Sequence, residues 1–553
     1  MVTAALALAG CQGRTVPPPP PGPAGPPAIP DAQSAVDAPL FVGQNAFPAP
    51  LSRQTTFTPA LVSGRADGGN SGTGDGPAPL GRGPVVTSAA IAIAPPLLWG
   101  RHGGLTTGCR IDLGAGVIKD CLAAVDASSL TILARWTAPG QDLNVATAIV
   151  DDSGRVVVTT RQRHLFVLAP PPDNGSVFRV VRDIDLGSHL ADDQGLLAAI
   201  ADDSGNLWFV SGGPSPTAST STSMSTTVGY VTAEDVVVTT TLADQRAETV
   251  PATDQGNLYL ATAPAGAADH ARATGFVYGL TAADGRVAKV WQQPYDAGSG
   301  IKPGGTNRGT ASPVMLLGRQ YLVITDNADD QAHLLVFVRG SLPTPGAVTS
   351  TSTPSSSSAK TTSTTASALT TTTTPAAPVA DPRLVCTAAL FSAGDSAVTT
   401  APIGYSAVDA ASVIVANGAN TPPPLANPTD DGPANNMATM ATGLARVDIA
   451  LDGTGCRTAW TIPLRLKTGP VLSTTTGLVY GYTQDEGRAA AGRYVWYFVA
   501  VDYRTGRVMW RQRSGAGGTK NDNRQPLVLG ANGVLYQTLP LGLVWMRDVA
   551  QRP

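Results

Sequence analysis

The 553-residue chain carries 37 basic and 40 acidic residues, a formal charge of −3, and only 5% aromatic residues. That balance excludes a nucleic-acid surface, which needs a basic footprint, and it supplies no basic cluster suited to anionic lipid. With 60 glycines and 46 prolines, turns and linkers must take a large share of the chain.

Residues Val2 to Gly10 form a short apolar run that ends Leu8-Ala9-Gly10-Cys11. The run is too short to span a bilayer and suits a signal-peptide core. The tetrapeptide resembles the bacterial lipobox, in which the Cys is lipid-modified and becomes the new N-terminus; no Lys or Arg precedes the run here. The resemblance implies a signal over 1–11 and an exported chain, lipid-anchored at the cell envelope through Cys11. Residues 12–39, with the proline run Pro17 to Pro21, predict an extended tether. Next come two pieces with apolar residues worth burying, Leu40 to Phe47 and Thr55 to Val62, and a Gly-rich stretch over 64–84 that reads as loop.

A turn-and-strand phrase then recurs. It reads Asp151-Asp152-Ser153-Gly154 leading into Val156-Val157-Val158, and returns as Asp202-Asp203-Ser204-Gly205 and as Asp254-Gln255-Gly256. Gly154, Gly205 and Gly256 keep one fixed spacing. Weaker echoes start at Thr87, Gly318, Ala411, Thr476 and Asn532, which brings the tally to eight. Strands at such a period mean propeller blades. The expected fold is all-β: a single β-propeller over 40–553, eight-bladed, with seven blades as the alternative. The Asp residues of the phrase precede Gly at turn positions, and turn chemistry accounts for them without a ligand.

A second phrase falls between the markers. Ala500-Val501-Asp502 leads through Gly506 to Trp510, Ala124-Val125-Asp126 to Trp136, Asp284-Gly285-Arg286 to Trp291, and Val447-Asp448 to Trp460. Each reads as strand, tight turn, strand. This phrase resembles the blade motif of the quinoprotein-type propellers, the PQQ-like repeat family. The resemblance implies that Trp136, Trp291, Trp460 and Trp510 dock between neighbouring blades. Quinoprotein dehydrogenases of that family carry an adjacent Cys-Cys pair, which this chain lacks, so no quinone cofactor is expected.

Apart from Cys11 the cysteines are Cys109, Cys121, Cys386 and Cys456. An even remainder in an exported chain predicts disulfides. Cys109 and Cys121 bracket a hairpin centred on Gly114-Ala115-Gly116, and Cys386 with Cys456 follows by elimination, bridging corresponding strands of repeats five and six. Two Ser/Thr-rich inserts, 214–227 and 341–380, interrupt the ring with segments that bury little apolar area. Too few residues follow Gly533 for a full blade, so the pieces at 40–62 are expected to close the ring with the C-terminal strands.

Candidate chemistry sits where the pattern breaks. Asp326, Asn327, Asp329 and Asp330 could hold a hard cation such as Ca2+ through oxygen, although the EF-hand spacing is absent; an Asx-rich hairpin turn is the competing reading. Asn307 and Arg308 precede repeat five, and Asn521, Asp522, Asn523 and Arg524 precede repeat eight, so both sets belong on one rim. Their arginines could receive an anionic group. No GxSxG phrase occurs, and the five histidines are scattered. The sequence therefore points to a monomeric binding or scaffold module for an envelope protein or glycan, anchored to the membrane only by its lipid. The competing class is an enzyme: a metal-dependent lactonase-like hydrolase or a relative of the PQQ-type oxidoreductases.

Overall fold

The computed structural model describes residues 26–33, 37–54, 68–100, 103–114, 116–172, 175–214, 225–265, 273–305, 307–340 and 382–549. Cys11, most of the expected tether, 55–67 and the insert 341–380 lie outside these residues.

Strands dominate because the sequence supplies short β-branched and aromatic runs between turn signals. Val156–Thr160, His164–Ala169 and Val495–Asp502 are examples. These middle strands are buried in nearly every position rather than alternating, because each sheet is covered on both faces by its neighbours. Outer strands such as Arg179–Asp185 expose polar side chains.

The strands form eight sheets arranged as propeller blades, each with an antiparallel four-stranded body. In chain order the blades span 93–136, 143–185, 194–243, 245–296, 315–389, 403–462 and 471–516; the eighth combines 527–548 with the strand Pro84–Ala90. A hydrophobic core lies between each pair of neighbouring blades. The last two join blade seven to eight through Trp510 and Val544, and blade eight to one through Tyr536 and Trp99. The ring is therefore closed with eight members.

Closure differs from the expectation. The outermost strand of blade eight is Pro84–Ala90, paired antiparallel with Gly542–Asp548. The piece Phe41–Gly43 instead adds to the outer edge of blade seven, against Trp510–Gln512. The echo at Thr87 was thus not a blade turn; the first blade's own turn is at Gly100–Gly104. The count of eight stands, with a different first marker.

The two recurrent phrases have distinct places. The Asp-x-x-Gly phrase is the turn between the first and second strands of a blade. Asp151 Oδ1 accepts from the backbone N–H of Ser153 and Arg155, both at 2.9 Å. Asp202 repeats this with Ser204 and Asn206, and its Oδ2 also accepts from Trp208 Nε1 at 2.8 Å. Gly154, Gly205 and Gly256 hold φ of 77°, 86° and 72°, which the turn needs and other residues adopt reluctantly. The Val-Asp phrase is the turn between the third and fourth strands. In blades four, six and seven the outer strand bulges immediately before Trp291, Trp460 and Trp510. A bulge increases twist and re-aims the side chain that follows it.

Those tryptophans reach the next blade. Trp136 meets Phe166 of blade two edge-on, with ring centroids 5.2 Å apart. Trp291 Nε1 donates to Arg339 O of blade five at 3.2 Å. Trp460 Nε1 donates to Tyr503 O of blade seven at 2.9 Å, and its ring covers Gly506, where a Cβ would stand 2.8 Å away. Trp510 is fully buried among residues of blades seven and eight.

Both disulfides form. Cys109–Cys121 closes the hairpin of blade one, and Cys386–Cys456 joins the outer strands of blades five and six with a Cα separation of 5.9 Å. The insert 214–227 is shorter than expected, because Ser225–Val231 is a strand of blade three. The N-terminal approach is partly ordered on the ring: Ile29 is buried in the blade seven–eight core, and Ala32 N–H bonds to Ala516 O.

Candidate functional site

An antiparallel blade places its turns on alternating faces. The two phrase turns share one face of the ring. The second-to-third loops and the connectors between blades share the other. Three long described connections, 297–314, 390–402 and 417–443, all lie on this second face. The rim residues selected from sequence lie there as well.

Blades four to eight have their connections knitted together at this face. Asn420 N–H donates to Pro303 O, and Lys302 Nζ to Ser396 O at 2.9 Å. Asn417 Nδ2 donates to Asp395 O at 2.7 Å. Leu425 N–H donates to Asn523 Oδ1, and Gly518 N–H to Asp431 Oδ1, both at 2.6 Å. Asn521 Nδ2 donates to Asn435 Oδ1 at 2.7 Å. The result is a cap over one side of the ring.

Most of the candidate rim residues are mortar in this cap. Asp326 is buried at the start of its loop and accepts from His333, from the backbone N–H at 2.6 Å and from Nδ1 at 2.8 Å. Burial pushes its carboxyl up, against the bonds from His333. Asn327 Nδ2 donates to Ala297 O and Gly300 O, and Asp329 accepts from the N–H and hydroxyl of Ser299. These groups serve separate partners, and among the described residues no three His, Cys, Asp or Glu side chains converge as a metal site. The Asp-rich hairpin therefore has the geometry of an Asx turn that fastens blade five to the connector behind blade four. Asn307 and Arg308 are brought to Glu248: Asn307 Nδ2 donates to Glu248 O, and Arg308 N–H to Glu248 Oε2 at 2.7 Å.

The segment before blade eight contributes to a buried ion pair. Asp522 is fully buried, and its Oδ1 lies 3.2 Å from Lys467 Nζ. Lys467 also donates to Asn521 and stands over the Trp496 ring, 4.9 Å from its centroid. Burial pulls the Lys467 ammonium down, while Asp522 opposes that shift. Lys467 was missed from sequence. It sits in the connector before blade seven, the place Arg308 takes before blade five and Arg524 before blade eight. Aligning the repeats on their connectors, rather than their turns, would have found it.

The channel wall holds a second omission. The stretch expected to be loop, 64–84, contains a buried strap along the innermost strands. Asn70 Nδ2 donates to Pro251 O and Val314 O, and Gly404 N–H donates to Ser71 O at 2.7 Å. Thr73 and Gly74 pair in parallel with Leu472 and Ser473. The strap thus satisfies backbone groups of blades four to seven that would otherwise face the channel unpaired. Asp75 accepts from Thr474 Oγ1 at 2.6 Å and marks its far end.

Two hollows open in this region. One is polar, about 330 Å³, and lies in the cap among Ser392, Asp395, Asn417, Asn420, Thr442 and Arg465. Arg465 is fixed there by donating to Met440 O at 2.7 Å and by pairing with Glu486 at 2.6 Å. The other is the central channel, about 320 Å³ and largely aliphatic.

No family model and no curated protein matches the sequence. Among solved structures the chain is similar to the Dos1 propeller, with 7% identity and a TM-score of 0.41 over 71% of this chain and 76% of that one. It is also similar to U3-55K, with 9% identity and a TM-score of 0.39 over 84% of this chain and all of that one. The β-propeller fold is consistent with a binding or scaffold module.

Proposed function

We propose that this chain is an exported, lipid-anchored propeller that binds a polar envelope component, a glycan or a protein, on its capped face. One observation carries the reading: the long connections of neighbouring blades meet on one face and enclose the polar hollow around Asp395, Asn420 and Arg465. Loops fixed on a rigid scaffold are where recognition groups are generally placed. Amide, carboxylate, hydroxyl and guanidinium groups in one hollow suit a partner rich in hydrogen-bonding groups.

Export is supported by the two disulfides, which persist in oxidising compartments. Anchoring rests on Leu8-Ala9-Gly10-Cys11. The blade motif supports kinship with the PQQ-like repeat family, and the turn chemistry of its Asp residues supports a structural rather than a ligand role for them.

The test has two arms. Cys11→Ala in the full chain should move the protein from the membrane fraction to the soluble fraction; unchanged fractionation defeats the anchor. Capture of envelope material by the purified chain should fall when Asn420→Ala and Arg465→Ala are combined. Capture that survives both substitutions defeats the capped face as the binding surface.

A further inference from the structure

The central channel is chemically unlike the capped hollow. Its wall is built from innermost strands of several blades, with Leu98, Ile149, Ile200, Val471 and Leu527 among the lining side chains. Among the described residues that line it, Lys467 and Arg524 are basic and none is Asp or Glu. A pocket of this size, apolar with a few placed polar groups, is the usual form of a small-molecule site.

The two cations differ in what they have left to give. Lys467 is committed to Asp522 and Asn521. Arg524 is only half-committed: Nε and Nη2 donate to Pro422 O, and Nη2 also to Thr421 O, while Nη1 makes no hydrogen bond among the described residues. Arg524 stands between the buried Asp522 and the strand Leu527–Leu529. Asn523 and Arg524 hold left-handed φ of 48° and 61°, a costly backbone for two successive non-glycine residues. The neighbouring cap bonds keep this conformation, and it sets the guanidinium at the channel.

We propose that the channel takes a small monocarboxylate with an aliphatic tail. The carboxylate would lie on Arg524 Nη1, and the tail along Leu98, Ile149, Ile200 and Val471. A guanidinium already anchored through two nitrogens presents the third with little ordering cost. The aliphatic wall rewards each methylene removed from water. An amine of the same length would meet Arg524 and, among the described lining residues, no carboxylate. The site is separate from the capped hollow and stands independently of the partner proposed for that face.

The probe is octanoate titrated into the full chain by calorimetry, with acetate and octylamine as controls. Saturable octanoate binding near one equivalent is expected, with acetate more than about a thousandfold weaker or undetected and octylamine undetected. Arg524→Met should weaken octanoate about tenfold or more. Because that substitution also removes bonds to the 417–443 loop, Ala146→Trp, at an exposed lining position of an innermost strand, provides a second variant that fills the channel and leaves the cap intact; it should abolish binding. Asn420→Ala with Arg465→Ala should leave octanoate binding unchanged. No saturable octanoate binding, equal binding of octylamine, or full binding by Ala146→Trp would each overturn the proposal.

Discussion

Lys467 and Asp522 form an ion pair at 3.2 Å with about 1% and 0% of their side chains exposed, joining the connector before blade seven to the connector before blade eight. Removing one partner from such a pair leaves the other buried and uncompensated, at a cost of about 3–5 kcal/mol. Lys467→Met and Asp522→Asn should each lower the urea midpoint strongly. The double variant Lys467→Met with Asp522→Leu should recover most of the loss. Equal losses in single and double variants would show that shape, not charge, dominates there.

The two disulfides should not contribute equally. Cys386–Cys456 ties residues 70 apart in sequence and Cys109–Cys121 residues 12 apart. In the chain-entropy account these separations correspond to about 4 and about 3 kcal/mol. Cys456→Ser with Cys386→Ser should therefore lower the unfolding midpoint more than the equivalent change in blade one. It should also speed amide exchange selectively in the outer strands of blades five and six.

The inter-blade bond of Trp460 can be separated from its packing. Trp460→Phe keeps a ring over Gly506 but loses the donor to Tyr503 O, so it should cost about 1 kcal/mol or somewhat more. Trp460→Ala also removes the partly buried ring packed between blades six and seven and should cost about 2–3 kcal/mol. Chemical denaturation of the two variants gives the comparison; equal losses would assign the whole effect to the hydrogen bond.

Ring closure predicts an order among truncations. A chain starting at residue 84 keeps the strand that pairs with Gly542–Asp548 and loses the channel strap. A chain starting at residue 92 loses both and exposes the edge of blade eight. The first should remain a monomer of reduced stability, and the second should associate through its open edge. Size-exclusion chromatography distinguishes them, and monomeric behaviour of the shorter chain would contradict this account of closure.

Asp126 gives a pH signature. Hydrogen bonds from the Ser128 hydroxyl and the Ser129 N–H hold its carboxyl down to about 2, from an ordinary 3.8. A depressed carboxyl contributes stability that is present above 3.8 and lost as pH falls through about 2. Asp126→Asn should thus lower Tm at neutral pH, with the gap to the parent closing across that acid window. A gap that stays constant through the window would remove Asp126 as its source.

The blade turns were legible because their chemistry is local. Asp151 bonds within four residues, and Gly154 supplies the positive φ in the same turn. The docking tryptophans were legible for the same reason, since a repeated strand-turn-strand places each one alike. The candidate site was less so. Asp326, Asn327, Asp329 and Asn523 were singled out as polar excess at a rim, and the structure brings them to that rim as fasteners between connectors. Lys467 carried no local signal, because its partner Asp522 lies in the connector of the following blade.

By itself the sequence determined the repeat, the turn that the recurrent Asp and Gly residues make, and the pairing of the cysteines; the choice of eight blades over seven needed the ring, because the marker at Thr87 lies in an outer strand. The turns and the repeat follow from short-range hydrogen bonding and a periodic apolar pattern, and the cysteine pairing from elimination among four thiols. Tertiary structure alone decided that 84–90 closes the ring, that 41–43 borders blade seven, and that the strap from 68 onward lines the channel. Each is a pairing of backbone groups hundreds of residues apart. Main-chain N–H and C=O groups are the same in every residue, so the choice among open strand edges falls to geometry once the ring has formed.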